Sequence, residues 1–182
     1  AAVGSTVLGS LCTLSPLLFS QMPAECHPLL KMVDEGISGL ASAYLRRSGA
    51  PPIPPSVHDS LARWVQPGCD GATRSNSIFC LGALGKVERG AAANGTIGGL
   101  LLGVVQTSND VVAASEALGG IYDCYAEDDV NQTVLAPMGM LPALSAIQAP
   151  FLAASKQWLQ DAKASAKKDP EVRRRAALVR EA

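Results

Sequence analysis

The chain has 182 residues, enough for one compact domain or for about four to five helical-repeat units. Hydrophobic residues make up 48% of it and aromatic residues only 4%, which excludes global disorder and favours closely packed helices over a β-sandwich. The net charge of −1 divides into −5 up to residue 150 (7 basic, 12 acidic) and +4 beyond it (8 basic, 4 acidic), and the acidic body argues against a nucleic-acid groove.

Helix breakers and N-cap residues divide the chain into short helical segments. These are predicted at 1–14, 24–47, 56–66, 75–89, 96–107, 110–126, 131–147 and 150–166, followed by a final helix from Pro170. A stiff proline-rich linker is expected near 49–55, and the basic C-terminal helical region from about residue 150. No stretch alternates in polarity for long enough to form a strand, so the predicted fold class is all-α.

Short sequence echoes indicate repeats. Ala83-Leu84-Gly85 aligns with Ala117-Leu118-Gly119 at an offset of 34, and LGSL at 8–11 resembles LGAL at 81–84 at an offset of 73. Offsets of this size are typical of helical solenoids, in which small residues let neighbouring helices approach closely. The predicted architecture is therefore an α-solenoid, an armadillo/HEAT-like right-handed superhelix of helical repeats that occupies residues 1–182 and belongs to a longer chain.

The segment SEALGGIYDCYAEDD, residues 115–129, combines an amphipathic helix with an acidic block. Its apolar stripe is predicted to contain Val111, Ala114, Leu118, Ile121 and Tyr125. The other face carries Glu116, Gly120, Asp123 and Glu127, and the acidic block continues through Asp128 and Asp129. Two interpretations remain open: a solvated outer face, or a docking surface for a basic, extended peptide.

The sequence lacks a recognisable catalytic or metal-binding constellation. His27 and His58 have no partner at ligand spacing, and the five cysteines are odd in number and form no CxxC pair. The glycine-rich NGTIGGLLLGVV lacks the Gly-Lys-Ser/Thr ending of a phosphate loop, so its glycines are predicted to serve helix packing. We therefore expect no enzyme activity, no metal and no cofactor. An active site would need a pocket that gathers His58 or Cys80 with carboxylates.

One segment has the composition of a membrane candidate. Residues 130–155 are uncharged, but they contain Asn131, Gln132, Gln148 and three prolines. These residues disfavour a membrane-spanning helix, and no membrane association is expected.

Residues 111–129 also resemble a known family signature. VVAASEALGGIYDCYAEDD is similar to a segment near the end of the symportins, which are HEAT and armadillo-repeat adaptors for ribosomal proteins of the 5S particle. The family's Glu-Ala-Leu segment, aliphatic-aromatic-Asp triplet, aromatic residue and acids correspond to Glu116-Ala117-Leu118, Ile121-Tyr122-Asp123, Tyr125 and Glu127-Asp128-Asp129. The preceding IGGLLLGVVQTSNDVVA looks like the family's penultimate helix and turn. Gly119-Gly120 departs from the pattern, because it loosens a helix that the family keeps firmer.

The resemblance implies that this chain is the C-terminal part of such an adaptor. Its repeats would cradle the basic N-terminus of uL18 during nuclear import with uL5, in the cytoplasm and nucleus, and an importin would bind through other regions. The implied cargo-binding positions are Glu116, Tyr122, Asp123, Tyr125, Glu127, Asp128 and Asp129. The alternative is an unrelated α-solenoid scaffold for protein–protein interaction.

Overall fold

The structure, a computed structural model, describes residues 2–48, 53–69, 71–87, 96–125, 139–163, 165 and 169–182. These residues form α-helices and one 3-10 turn at Ala24–Cys26, and no strand occurs among them. The helices are α1 (Ala2–Gln21), α2 (His27–Ser48), α3 (Pro55–Trp64), α4 (Gly71–Val87), α5 (Thr96–Thr107), α6 (Val111–Tyr125), α7 (Met140–Ala162) and α8 (Pro170–Glu181).

Odd-numbered helices pack beside one another in two pairs, α1 with α3 and α5 with α7. The Ser60 hydroxyl of α3 donates to the Cys12 carbonyl of α1 at 3.3 Å, and Arg63 donates to the Ser15 hydroxyl at 3.3 Å. Residue numbers rise together in these pairs, so α1 and α3 run parallel. Further along the chain, α5 packs against α7.

The even-numbered helices form a second row of parallel neighbours. Asn76 of α4 donates to the Ser38 hydroxyl of α2 at 3.3 Å. Near the other end of the same two helices, the Arg46 guanidinium lies 3.9 Å from the centre of the Phe79 ring. The row continues from α4 to α6, the most extensive helix contact among the described residues, and from α6 to α8.

Pairs that are consecutive in the chain connect the two rows. The helices α1 and α2 contact each other, as do α3 and α4, α5 and α6, and α7 and α8. Like helices stacked in rows and linked pairwise define an α-solenoid. The predicted fold class, an all-α solenoid, is therefore confirmed.

Helical spacing of apolar side chains builds the core between the rows. On α3, Val57, Leu61 and Trp64 recur every three to four residues and are each at most 1% exposed. Leu81 and Leu84 of α4 are buried against them in the same cluster. Burying one such side chain stabilises the fold by about 1.5–3 kcal/mol, so these short helices depend on packing more than on intrinsic helix propensity.

Two prolines that were expected to end helices lie inside them. Pro16 is within α1, which continues to Gln21, and Pro150 is within α7, which joins two segments predicted as separate. A proline removes the hydrogen bond to the carbonyl four residues earlier. For Pro16 that carbonyl belongs to Cys12 and accepts the Ser60 hydroxyl instead. Pro150 is exposed, so water can reach its neighbourhood.

Other boundaries agree more closely with the sequence. The bounds of α5 are those predicted, and Pro55 opens α3 as its first helical residue. Positions 49–52 of the predicted linker lie outside the described residues. Within the described ranges no helix combines the length and hydropathy needed to cross a membrane, and 130–138 of the membrane candidate are also outside them.

Glycines bring α4 and α6 into close contact. A Cβ atom added to Gly82 would lie 3.0 Å from the Cα of Gly120, and one added to Gly85 would overlap the Cys124 sulfur. The Cys124 thiol donates to the Gly82 carbonyl at 3.3 Å. The expectation that small residues let neighbouring repeats approach closely agrees with this pair of helices. The prediction of packing glycines in NGTIGGLLLGVV fails at Gly99 and Gly103 of α5, which face open space.

We predict that Gly82→Ala destabilises the chain by about 1–3 kcal/mol, because the new methyl group must push against the α6 backbone. Gly36→Ala is the matched control: it lies inside α2, and a Cβ there meets nothing within 4 Å. That variant is expected to gain about 0.4–1 kcal/mol. The measurement is the free energy of unfolding in urea, and equal effects at the two positions would contradict the close contact.

Candidate functional site

A groove of about 540 Å³ runs across the even-numbered row. Its lining residues come from α2, α4, α6 and α8, so it follows the stacking direction of the repeats. They are Arg46, Ser75, Asn76, Ile78, Phe79, Gly82, Ala83, Lys86, Ser115, Glu116, Gly119, Gly120, Asp123, Arg174 and Leu178.

Helix α6 presents its acidic face to this groove. The Asp110 carboxylate accepts the Val112 backbone N–H at 2.9 Å and caps the helix. The side of α6 that faces the groove recurs every three to four residues, as expected for one face of a helix. It consists of Glu116, then Gly119 and Gly120, then Asp123.

Away from the groove, the buried surface of α6 is wider than the predicted apolar stripe. Of the predicted stripe, Ala114 and Ile121 are buried, whereas Val111 and Leu118 are only partly so. The burial extends to Ala113, Ala117 and Cys124, each at most 5% exposed. The reason is that α6 packs against α4, α5, α7 and α8 together.

Glu116 differs from a solvated surface carboxylate. It is partly buried, and the Ser75 hydroxyl of α4 donates to its Oε1 atom at 2.7 Å. Burial raises the pKa of Glu116, while the bond from Ser75 and the charge of Arg174 act in the opposite direction. The neighbouring helices supply the burial that shifts the pKa of this carboxyl.

The other predicted cargo-binding positions are distributed differently. Asp123 is exposed in the groove and has no salt-bridge partner among the described residues. Tyr122 is 68% exposed and does not line the groove. Tyr125 ends α6, but its side chain is not described, and Glu127, Asp128 and Asp129 lie outside the described residues. Their roles stay predictions.

Cations flank the α6 carboxylates, so the groove has mixed charge. On one side, Glu171 of α8 accepts hydrogen bonds from Arg174 at 2.9 and 3.0 Å and from Arg175 at 3.0 Å. On the other side lie Arg46, over the Phe79 ring, and Lys86 of α4. Sequence reasoning missed Ser75, Arg46 and Arg174 as neighbours of the acidic face, because they come from helices far away in the chain.

The described residues offer little to metal or thiol chemistry. No group of three or more His, Cys, Asp or Glu side chains among them could hold a metal ion. Burial raises the pKa of Cys80 and that of Cys124 to about 12, so both thiols stay protonated near neutral pH.

A helical-repeat protein whose second-row helices line a groove belongs to the class of repeat-type adaptors, which bind other proteins. The family model described as SYO1-like, TPR repeats, matches residues 54–173, about two thirds of the chain. The chain therefore belongs to the SYO1-like, or symportin, family. The match runs from just before α3 into α8, and its repeats are described as TPR where armadillo or HEAT repeats were expected. No curated protein and no solved structure matches the chain significantly.

The burial of Glu116 makes a prediction about stability and pH. A raised folded-state pKa means that the fold disfavours the ionised carboxylate, so this group reduces stability as pH rises from its unfolded pKa, near 4.5, through the folded value. Glu116→Gln removes the charge and can still accept the Ser75 hydroxyl. We expect the free energy of unfolding of the variant to exceed that of the parent chain by more at pH 7 than at pH 4.

Denaturation in urea at both pH values measures this difference. Asp123→Asn is the control, because Asp123 is exposed in the same groove. If the free energies of unfolding of Glu116→Gln and the parent chain differ by the same amount at both pH values, burial does not raise the pKa of Glu116.

Proposed function

We propose that the chain is a non-catalytic adaptor and dedicated chaperone for ribosomal proteins, which holds the basic N-terminus of uL18 in the groove for co-import with uL5. It acts in the cytoplasm and the nucleus, in large-subunit biogenesis, and meets an importin through other regions. Membership of the symportin family supports the kind of cargo, and the solenoid groove supports the mode of binding.

One observation carries the proposal: two carboxylates of α6 face a groove that crosses the second row of helices. Glu116 and Asp123 line it together, and each can pair with a cation of the bound segment. Burial opposes the ionisation of Glu116, and a carboxyl kept in such a position at a cost in stability is typical of a binding residue.

The groove also suits an extended segment. It spans four helices of one row, so a chain lying along it meets α2, α4, α6 and α8 in turn. An extended peptide exposes its backbone and side chains to all of them, whereas a folded domain would touch only the rims. Fixed charges at defined points along such a path set the register of the bound chain.

We predict that a fluorescent peptide with the uL18 N-terminal sequence binds the chain and that raised salt weakens the binding. Glu116→Gln and Asp123→Asn should each raise its Kd by about fivefold, and the double variant by about twentyfold, since one partly exposed ion pair contributes up to about 1 kcal/mol. A titration by fluorescence anisotropy at two salt concentrations measures both effects.

Asp59→Asn is the matched control, because it makes the same charge change on an exposed residue of α3, in the other row. If Asp59→Asn weakens binding as much as the groove variants do, the peptide lies elsewhere or is attracted by net charge alone. A scrambled peptide of equal composition distinguishes cargo sequence from charge. Equal affinity of the two peptides would contradict a dedicated uL18 site.

A further inference from the structure

Gly119 packs closely against nothing in the part of the chain that the structure describes. It lies in the middle of α6, it is exposed in the groove, and a Cβ atom added there meets nothing within 4 Å. Glycine inside a helix destabilises it relative to alanine. Gly36, Gly99 and Gly103 also face open space, but none of them lines the groove, so Gly119 alone in this group combines a missing side chain with the proposed binding surface.

Two further glycines line the groove next to Gly119, where α4 and α6 are in backbone contact. Gly82 of α4 is buried and Gly120 of α6 is half-buried, and a Cβ atom added to either would face a neighbouring helix. The name glycine floor is used below for Gly82, Gly119 and Gly120, of which Gly119 is the exposed one. A floor without side chains lets the main chain of a ligand approach the helices closely.

The two acids stand on opposite sides of this floor. Glu116 precedes Gly119 by three residues and Asp123 follows it by four, so all three share one face of α6. The seven-residue separation places the carboxylates roughly 10 Å apart along the helix axis. A chain that follows the groove crosses α6 between them.

The geometry of an extended chain then selects its side chains. Successive side chains of an extended segment point in opposite directions, and a lysine carries its charge on a long, flexible stem. A segment over Gly119 can therefore direct one residue to Glu116 and the next to Asp123. Over α2 and α4 the cations Arg46 and Lys86 disfavour further basic residues, which confines the basic pair to α6.

We infer that the bound segment crosses α6 at Gly119 in an extended conformation and places two consecutive basic residues on Glu116 and Asp123. This inference rests on the proposed function and adds to it the position and the local sequence of the ligand. The ligand class is a dibasic, extended peptide whose main chain lies on the glycine floor.

The first test adds a side chain at Gly119. Gly119→Ala and Gly99→Ala are both expected to raise Tm by a few degrees, because alanine favours the helix and neither site is crowded. Only Gly119→Ala should weaken binding of the uL18 peptide, by about tenfold, and Gly119→Leu should weaken it further.

An unchanged Kd in both Gly119 variants overturns the inference. If Glu116→Gln and Asp123→Asn still weaken binding in that case, the proposed function survives and the peptide crosses α6 elsewhere. If those acid variants are also without effect, the groove itself is not the site.

The second test varies only the spacing of charge. Two Gly/Ser peptides of equal length carry four lysines each, as two adjacent pairs in one and as four separated residues in the other. The paired peptide is expected to bind about tenfold more tightly, and the preference should disappear in Asp123→Asn. Equal affinity of the two peptides for the parent chain overturns the dibasic assignment, because net charge would then explain the attraction.

Discussion

The close contact between α4 and α6 determines where the groove can lie. Gly82 and Gly120 meet backbone to backbone, and the Cys124 thiol closes the contact by donating to the Gly82 carbonyl. A larger residue at either glycine would separate the helices and move Ser75 away from Glu116, whose hydrogen bond is 2.7 Å long. The depth of the groove, the burial of Glu116 and the bare floor beside Gly119 are therefore consequences of one helix–helix distance.

The same contact explains why Glu116 is an unusual carboxylate. Burial between two helices opposes its ionisation, and a neighbouring hydroxyl and the arginines of α8 only partly compensate. A carboxylate in this position gains more from an incoming cation than an exposed one does, because the local environment screens the pair less. In the proposed complex, the exposed Asp123 adds long-range attraction to its contact with the second basic residue. The two acids thus differ in what they give to a ligand, although they look alike in the sequence.

The sequence predicted the helical class and the extent of α6 to within one residue at each end, but not the contacts that define the site. The echo between Ala83-Leu84-Gly85 and Ala117-Leu118-Gly119 did join two helices of the same row, yet the touching residues, Gly82 and Gly120, are offset by 38 rather than 34. The echo between 8–11 and 81–84 joined α1 and α4, which belong to different rows. Pro16 lies inside α1 although the sequence predicts a helix end before it. The hydrogen bond that satisfies the Cys12 carbonyl comes from Ser60, which is 48 residues away and cannot be foreseen from the local sequence. Local patterns predict local structure, while partners supplied by distant helices require the fold.

The mixed charge of the groove decides what kind of selectivity it can have. The acids of α6 lie between Arg46 and Lys86 on one side and Arg174 on the other, so the lining attracts no peptide by net charge alone. Arg174 forms an ion pair with Glu171, and Arg46 stacks on Phe79, while the charge of Arg174 also acts on Glu116. A ligand with basic residues in the wrong place meets those cations, and one with acidic residues over α6 meets Glu116 and Asp123. Such alternation discriminates by the order of charges along the ligand, and this is the property that an adaptor needs when most basic segments in the cell are not its cargo.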